Sequence, residues 1–180
     1  MNTKQALDLL KSGNARFVSG ALTPKDNYAT LREQLSAGQH PFAVVLCCSD
    51  SRVAPEIIFD QKLGDLFVIR NAGNIVDEEV LGSIEYAVEH LETPLVVVMG
   101  HSSCGAVTAT CQSGDLPGHI LDLAKRIKPS INKSYCVDDN AKQHAKRMAK
   151  LIEEDEIVHH VGAKVVAAFY NLESGKVEWL

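Results

Sequence analysis

Four mostly apolar runs dominate the pattern of hydrophobic and polar positions along the chain. They cover residues 42–47, 66–69, 95–99 and 163–170, and they are rich in valine, isoleucine and other β-formers. Short continuous apolar runs bounded by polar clusters are typical of strands that are buried on both faces of a sheet. We therefore expect four buried strands.

Amphipathic segments separate these runs. Apolar positions at helical spacing predict a helix capped by Asp77, and further helices are expected over residues 104–111, 118–128 and 139–151. Strands that alternate with helices indicate an α/β fold, with a mostly parallel central sheet covered by helices. A turn near residue 175 should add an antiparallel edge strand at the C-terminus.

The first 40 residues have a different pattern, that of short amphipathic helices. Asn2 can cap the first helix, Gln5 lies at capping-box distance, and Gly13 is expected to end it. Two further short helices should follow before the first strand. We expect residues 1–40 to form an N-terminal helical arm, and residues 41–180 to form the α/β body of a single structural domain.

Composition and charge exclude several classes of function. The chain has 180 residues, of which 46% are hydrophobic and 23% charged, so it can bury a core as one domain. A net charge of −5 gives no support for a nucleic-acid partner, and no apolar run reaches the ~20 residues of a membrane helix. Without the pattern of a signal peptide we expect a cytoplasmic protein, whose five cysteines are ligands or buried residues.

Side chains of the types that bind metals follow two of the predicted strands. Cys48, Asp50 and Arg52 come after the first strand, and His101 and Cys104 come after the third. Because ligands bind at the carboxyl ends of parallel strands, the two clusters can meet at one edge of the sheet. Thiolate, imidazole and carboxylate are the side chains that bind zinc. We predict a zinc site here, with Asp50 and Arg52 at its mouth.

The number of ligands favours catalysis at this site. Cys48, His101 and Cys104 leave a fourth coordination position, which is typical of catalytic zinc. Asp50 can fill that position as a ligand, or release it to water by pairing with Arg52. In the released state Asp50 would accept a hydrogen bond from a zinc-bound hydroxide and aim its lone pair at an electrophile.

The same residues allow other interpretations. A phosphatase-type cysteine loop needs five residues between its cysteine and arginine, whereas three separate Cys48 from Arg52. A redox pair of Cys48 and Cys104 is compatible with the sequence, but it leaves His101 and Asp50 without a role. Buried core cysteines beside a satisfied histidine would not explain why four residues of metal-binding type cluster at two strand ends.

Several other cysteine and histidine side chains are expected to lie outside the site, and the sequence does not identify a proton shuttle. Cys47 should face away from Cys48 because side chains alternate along a strand. His144 lies in the lysine-rich helix and is expected to be solvated. His159 and His160 are adjacent on a helix, so they should point apart at the surface.

Two motifs resemble those of the β-class carbonic anhydrases: Cys-x-Asp-x-Arg at residues 48–52 and His-x-x-Cys-Gly at residues 101–105. Residues 13–18, 65–74 and 165–177 resemble the N-terminal arm, second-strand segment and closing hairpin of that family, so the likeness covers nearly the whole chain. It implies one zinc ion per chain and the reversible hydration of CO2 to bicarbonate and a proton. It also implies a homodimer or a higher homo-oligomer in which the N-terminal helices embrace the neighbour.

The resemblance also assigns roles to individual residues. The metal ligands would be Cys48, His101 and Cys104, the dyad Asp50 and Arg52, and the backbone N–H of Gly105 would lie near the substrate pocket. Some members carry an inhibitory bicarbonate site built partly on a tryptophan three residues before the first zinc cysteine. That position is Val45 here, so the inhibitory site is not expected although Arg70 matches its arginine.

Two alternative functions stay open at this point. A hydrolase of carbonyl sulfide or carbon disulfide could use the same nucleophile on the same fold. A non-catalytic zinc or thiol sensor would keep Asp50 as a permanent fourth ligand at every pH, whereas an enzyme would admit water as the pH rises.

Overall fold

A five-stranded sheet lies at the centre of the protein, of which the computed structural model describes residues 1–25, 27–112 and 116–180. The strands are β1 (Ala43–Cys48), β2 (Leu66–Asn71), β3 (Leu95–His101), β4 (Lys164–Tyr170) and β5 (Val177–Trp179). Their order in the sheet is β2-β1-β3-β4-β5. The first four strands are parallel, and β5 pairs antiparallel with β4.

Helices cover both faces of this sheet. They are α1 (Thr3–Ser19), α2 (Tyr28–Leu35), α3 (Pro55–Ile58), α4 (Glu78–Glu85), α5 (Gly105–Cys111), α6 (Ile120–Ile127), α7 (Val137–Glu153) and α8 (Glu156–Val161). A π-helical turn at Tyr86–His90 extends α4, and Asp77 caps α4 by accepting a hydrogen bond from Val80 N–H at 2.9 Å. The predicted α/β class with a mostly parallel sheet is confirmed. None of the described helices is both long enough and apolar enough to cross a membrane.

Alternate strand residues pack on opposite faces of the sheet. Val44 and Leu46 belong to the core beneath α4, α7 and α8. Val45 and Cys47 belong to the core beneath α1 and α3. Cys48 lies in a third cluster at the strand ends, so Cys47 and Cys48 face opposite ways as predicted.

Helix α1 is one continuous helix, so the prediction that Gly13 ends it is wrong. The predicted capping box between Asn2 and Gln5 is present, and the helix ends at Gly20 in the left-handed region. A Cβ atom on Gly13 would lie 1.7 Å from the carbonyl oxygen of Phe59, directly after α3. The glycine therefore allows α1 to approach this backbone closely.

The two N-terminal helices differ in how much of their surface is buried. Leu10 of α1 is fully buried, and the Asn14 amide donates hydrogen bonds to the carbonyl oxygens of Ile58 and Gly175. The Asn14 Oδ1 atom accepts a third bond from Val177 N–H. In contrast, α2 has no buried residue. Helix α1 is thus part of the core, while α2 lies at the surface with Leu31 and Leu35 only half-buried and Tyr28 exposed.

The prediction that His144 is solvated is wrong. Helix α7 turns an apolar face toward the sheet, and His144 lies on that face with 1% of its surface exposed. Lysines on the opposite face gave the helix its polar character in the sequence. His159 and His160 on α8 are exposed, as predicted.

Candidate metal centre

The three predicted zinc ligands lie together at the carboxyl edge of the sheet. Cys48 ends β1 and His101 ends β3, and these two strands are parallel neighbours. Cys104 follows His101 after a short turn and immediately precedes α5. The possible ligand atoms of the three buried side chains all lie within 4.8 Å of one another. The fold thus brings together residues that are 56 positions apart in the sequence.

The His101 ring is oriented for binding a metal through Nε2. Its Nδ1 atom lies 2.9 Å from the Ser102 carbonyl oxygen. A carbonyl can only accept, so Nδ1 carries the proton and Nε2 keeps a free lone pair. Within the described part of the chain, Nε2 is buried without a hydrogen-bond partner. Leaving a buried polar atom unpaired is costly, and a metal ion would satisfy it.

The thiol groups of Cys48 and Cys104 are coupled. A hydrogen bond from the Cys104 thiol lowers the pKa of Cys48, although burial opposes this shift. The same contact and burial raise the pKa of Cys104, whose thiol is the donor. The backbone N–H of Gly73 also lowers the pKa of Cys48 and lies 3.4 Å from its sulfur. A divalent cation could replace the shared proton, and two thiolates with a neutral imidazole are a donor set that fits zinc.

Asp50 and Arg52 form a bidentate ion pair at the mouth of this cluster. Arg52 Nη2 lies 2.7 Å from Asp50 Oδ2, Arg52 Nε lies 2.9 Å from Oδ1, and the Arg52 backbone N–H also donates to Oδ1 at 3.0 Å. The side chains are 18% and 56% exposed, respectively. The hydrogen bonds from Arg52 hold the pKa of Asp50 well below its usual range. Among the described residues, the group of possible ligand atoms within 4.8 Å of one another does not include Asp50.

The loop that carries Cys48 and Asp50 is held by β2 and the residues after it. Arg70 donates from Nε to the Cys48 carbonyl oxygen at 3.2 Å, and from Nη2 to the Asp50 carbonyl oxygen at 2.8 Å. Sequence reasoning missed this role of Arg70, and it missed the Gly73 N–H beside the Cys48 sulfur. The only signal in the sequence was the position of this polar loop after β2. Because β2 is parallel to β1, the loop must lie at the edge of the sheet where Cys48 lies.

Gly105 is the first residue of α5 and lies directly after Cys104. A Cβ atom at Gly105 would meet no heavy atom of the described structure within 4 Å. The space in front of it is therefore open. Its place beside the substrate pocket stays a prediction from the family resemblance.

Sequence comparison shows the family of this chain. The family model described as carbonic anhydrase matches residues 43–177. A carbonic anhydrase of Mycolicibacterium smegmatis is 43% identical over 191 aligned positions, which cover 98% of this chain and 93% of the relative. Carbonic anhydrase 2 of Mycobacterium tuberculosis is 42% identical over 189 positions, which cover 97% and 91%.

Comparison with solved structures identifies the class. A β-carbonic anhydrase of the fungal pathogen Aspergillus fumigatus superposes with a TM-score of 0.79 at 26% identity, covering 98% of this chain and 89% of that chain. A tetrameric β-carbonic anhydrase of Sordaria macrospora gives the same TM-score at 25% identity, covering 98% and 97%. The chain therefore belongs to the β class of the carbonic anhydrase family.

Proposed function

We propose that this protein is a lyase that catalyses the reversible hydration of CO2 to bicarbonate and a proton. The observation that carries the proposal is the buried group of Cys48, His101 and Cys104, within 4.8 Å of one another, in a chain of this family. Zinc held by these three residues would lower the pKa of a water molecule and so supply a nucleophile near neutral pH. The thiol groups of Cys48 and Cys104 must stay reduced to act as ligands, which supports a cytoplasmic location.

Asp50 and Arg52 are proposed to orient the attacking water. The guanidinium fixes both oxygens of the Asp50 carboxylate, and its charge keeps that carboxylate ionised. An ionised carboxylate only accepts hydrogen bonds. Asp50 therefore acts as an acceptor that directs the water toward CO2, and does not itself carry the proton.

The surroundings of the site suit a small apolar substrate. Ile75, Val107 and Phe169 lie in the same buried cluster as Cys48 and Cys104. Such a wall excludes bulk water and strengthens the electrostatic interactions at the site. The relatives described above are named carbonic anhydrases, which favours CO2 over carbonyl sulfide or carbon disulfide. The pairing of Asp50 with Arg52 argues against a sensor with a permanent fourth protein ligand.

The test is stopped-flow CO2 hydration by metal-quantified protein between pH ~6.5 and ~9, around the value of ~7 typical of water on catalytic zinc. We expect one zinc per chain and a kcat that rises with pH as the water loses its proton. Asp50 should contribute no step in this window, because its pKa lies far below it. Zinc-loaded protein without CO2 hydration at any pH would refute the proposed function.

We also infer that the protein is a homodimer or a higher homo-oligomer in which α2 contacts the neighbouring chain. Helix α2 buries none of its residues within its own chain, and Tyr28 at its start is 52% exposed. A structural relative is described as tetrameric. The division into an arm (residues 1–40) and a zinc-binding α/β domain (residues 41–180) belongs to this proposal.

A charge at Tyr28 should weaken the assembly. We expect Tyr28→Glu to raise the dissociation constant of the dimer about tenfold or more, because the carboxylate would lose water without gaining a partner. Gln143→Glu adds the same charge at an exposed position of α7, outside the proposed contact, and is the control. Sedimentation velocity over a range of concentrations measures both. If the Tyr28 variant associates like the control, α2 is not in the interface.

A further inference from the structure

The buried His144 side chain is fixed at both ring nitrogens. Nε2 lies 2.8 Å from the Gly73 carbonyl oxygen, and Nδ1 lies 3.0 Å from the Ser130 hydroxyl. Because a carbonyl oxygen only accepts, Nε2 carries the proton and Nδ1 accepts from Ser130. Burial lowers the pKa of His144 to about 4, so the ring stays neutral in this arrangement near pH 7.

Gly73 connects this histidine to the metal centre. Its carbonyl oxygen accepts from His144, and its N–H lies 3.4 Å from the Cys48 sulfur. Gly73 has a φ of 78°, and a Cβ atom there would lie 2.8 Å from Ile127 and 3.0 Å from Ala106. Only glycine fits this backbone and this gap. The position of Gly73 therefore fixes the hydrogen bond that the Cys48 sulfur receives.

Helix α7 also holds the second ligand loop. Asp138, in the first turn of α7, accepts a hydrogen bond from Ser103 N–H at 2.8 Å. Ser103 lies between the proposed ligands His101 and Cys104, and its φ of 54° is unusual for a residue other than glycine. Helix α7 thus contacts the second ligand loop directly through Asp138, and it reaches Cys48 indirectly through His144 and Gly73.

We propose that His144 is a positioning residue for Cys48: it holds Gly73, and Gly73 in turn places the Cys48 sulfur for zinc. Helix α7 then supports Cys48 through Gly73 and the second ligand loop through Asp138. This inference rests on the proposed zinc site. Partners that orient a metal ligand typically change metal affinity about 10–100-fold when they are removed. His144 acts one residue further out, so we expect an effect at the lower end, about tenfold.

The experiment compares the zinc affinity of intact variants by competition with a chromogenic chelator. His144→Leu removes both hydrogen bonds, whereas the amide of His144→Gln can still donate to the Gly73 carbonyl. Ile152→Ala is the matched control, because Ile152 is buried on α7 and its truncation destabilises the protein through packing alone. Absorption of the cobalt-substituted proteins, in the thiolate-to-metal charge-transfer region, reports on the sulfur ligands.

We expect His144→Leu to raise the zinc dissociation constant about tenfold and to alter the charge-transfer band, with His144→Gln and Ile152→Ala within about threefold of wild type. His144→Asn, whose amide reaches toward Ser130 and not Gly73, replaces His144→Leu if that variant fails to fold. The proposal would be overturned if His144→Leu or His144→Asn kept the zinc affinity and the charge-transfer band of the wild type. It would also be overturned if Ile152→Ala lost as much zinc affinity as His144→Leu. Wild-type protein that binds zinc without hydrating CO2 would refute the proposed function alone, because chelator competition does not use the reaction.

Discussion

Cys104→Ser protein is expected to bind zinc on the order of 100-fold more weakly than wild type. Zinc bound by four ligands in small domains has an apparent binding free energy of about 10–16 kcal/mol, so the loss of one anionic ligand should remove about 3 kcal/mol. A serine hydroxyl stays protonated near pH 7 and cannot replace the thiolate. Elemental analysis after dialysis against a chelator should find well under one zinc per chain, and CO2 hydration should fall in proportion.

The matched control for this substitution is Cys136→Ser. Cys136 is exposed at the start of α7, and it is not among the three residues of the possible metal group. It should keep one zinc per chain under the same dialysis. If Cys104→Ser kept as much zinc as Cys136→Ser, the assignment of Cys104 as a ligand would be wrong.

Asp50→Asn should separate zinc binding from turnover. We expect this variant to retain zinc but to lose about 10²–10⁴-fold in kcat, the range for positioned acid–base groups. The neutral amide cannot accept the bidentate pair of bonds from Arg52, and it presents N–H donors where the water needs an acceptor. Stopped-flow hydration, expressed per bound zinc, measures the effect.

An exposed carboxylate provides the comparison for Asp50→Asn. Asp122 on α6 pairs with Lys125 at the surface, so Asp122→Asn makes the same chemical change away from the metal centre. It should leave both zinc content and kcat unchanged. Turnover per zinc near the wild-type value in Asp50→Asn would refute the orienting role of Asp50.

The sheet and the group of three possible metal ligands could be predicted from two things: the apolar runs that mark the strands, and the rule that ligands bind at the carboxyl ends of parallel strands. Continuous apolar runs placed β1 and β3, and parallel strands collect the residues after them at one edge. Cys48, His101 and Cys104 therefore came together without any knowledge of the loops. The sequence left two states open for Asp50, as a zinc ligand or as the ion-pair partner of Arg52. The structure shows the ion pair, which residue spacing alone could not determine.

The residues that sequence reasoning missed act through contacts distant in the chain. Gly13 looks like a helix end, but its importance lies in the close approach of Phe59, 46 positions away. His144 looks solvated among lysines, but its partner Gly73 is 71 positions earlier. Arg70 reaches back 22 positions to the Cys48 carbonyl. Local patterns carry no sign of such partners, which exist only once the helices have packed on the sheet.

The strand order also has a consequence for how the molecule is made. β3 lies between β1 and β4 in the sheet, although β4 is synthesised long after β1. Cys48, the first of the proposed ligands, is synthesised almost 100 residues before His144, which we propose positions it. Contacts between distant segments form slowly, because closing the long intervening loop costs conformational entropy before the contacts contribute any stabilising energy. Metal uptake should then come after chain collapse, so that zinc stabilises the finished protein by mass action and does not nucleate its folding.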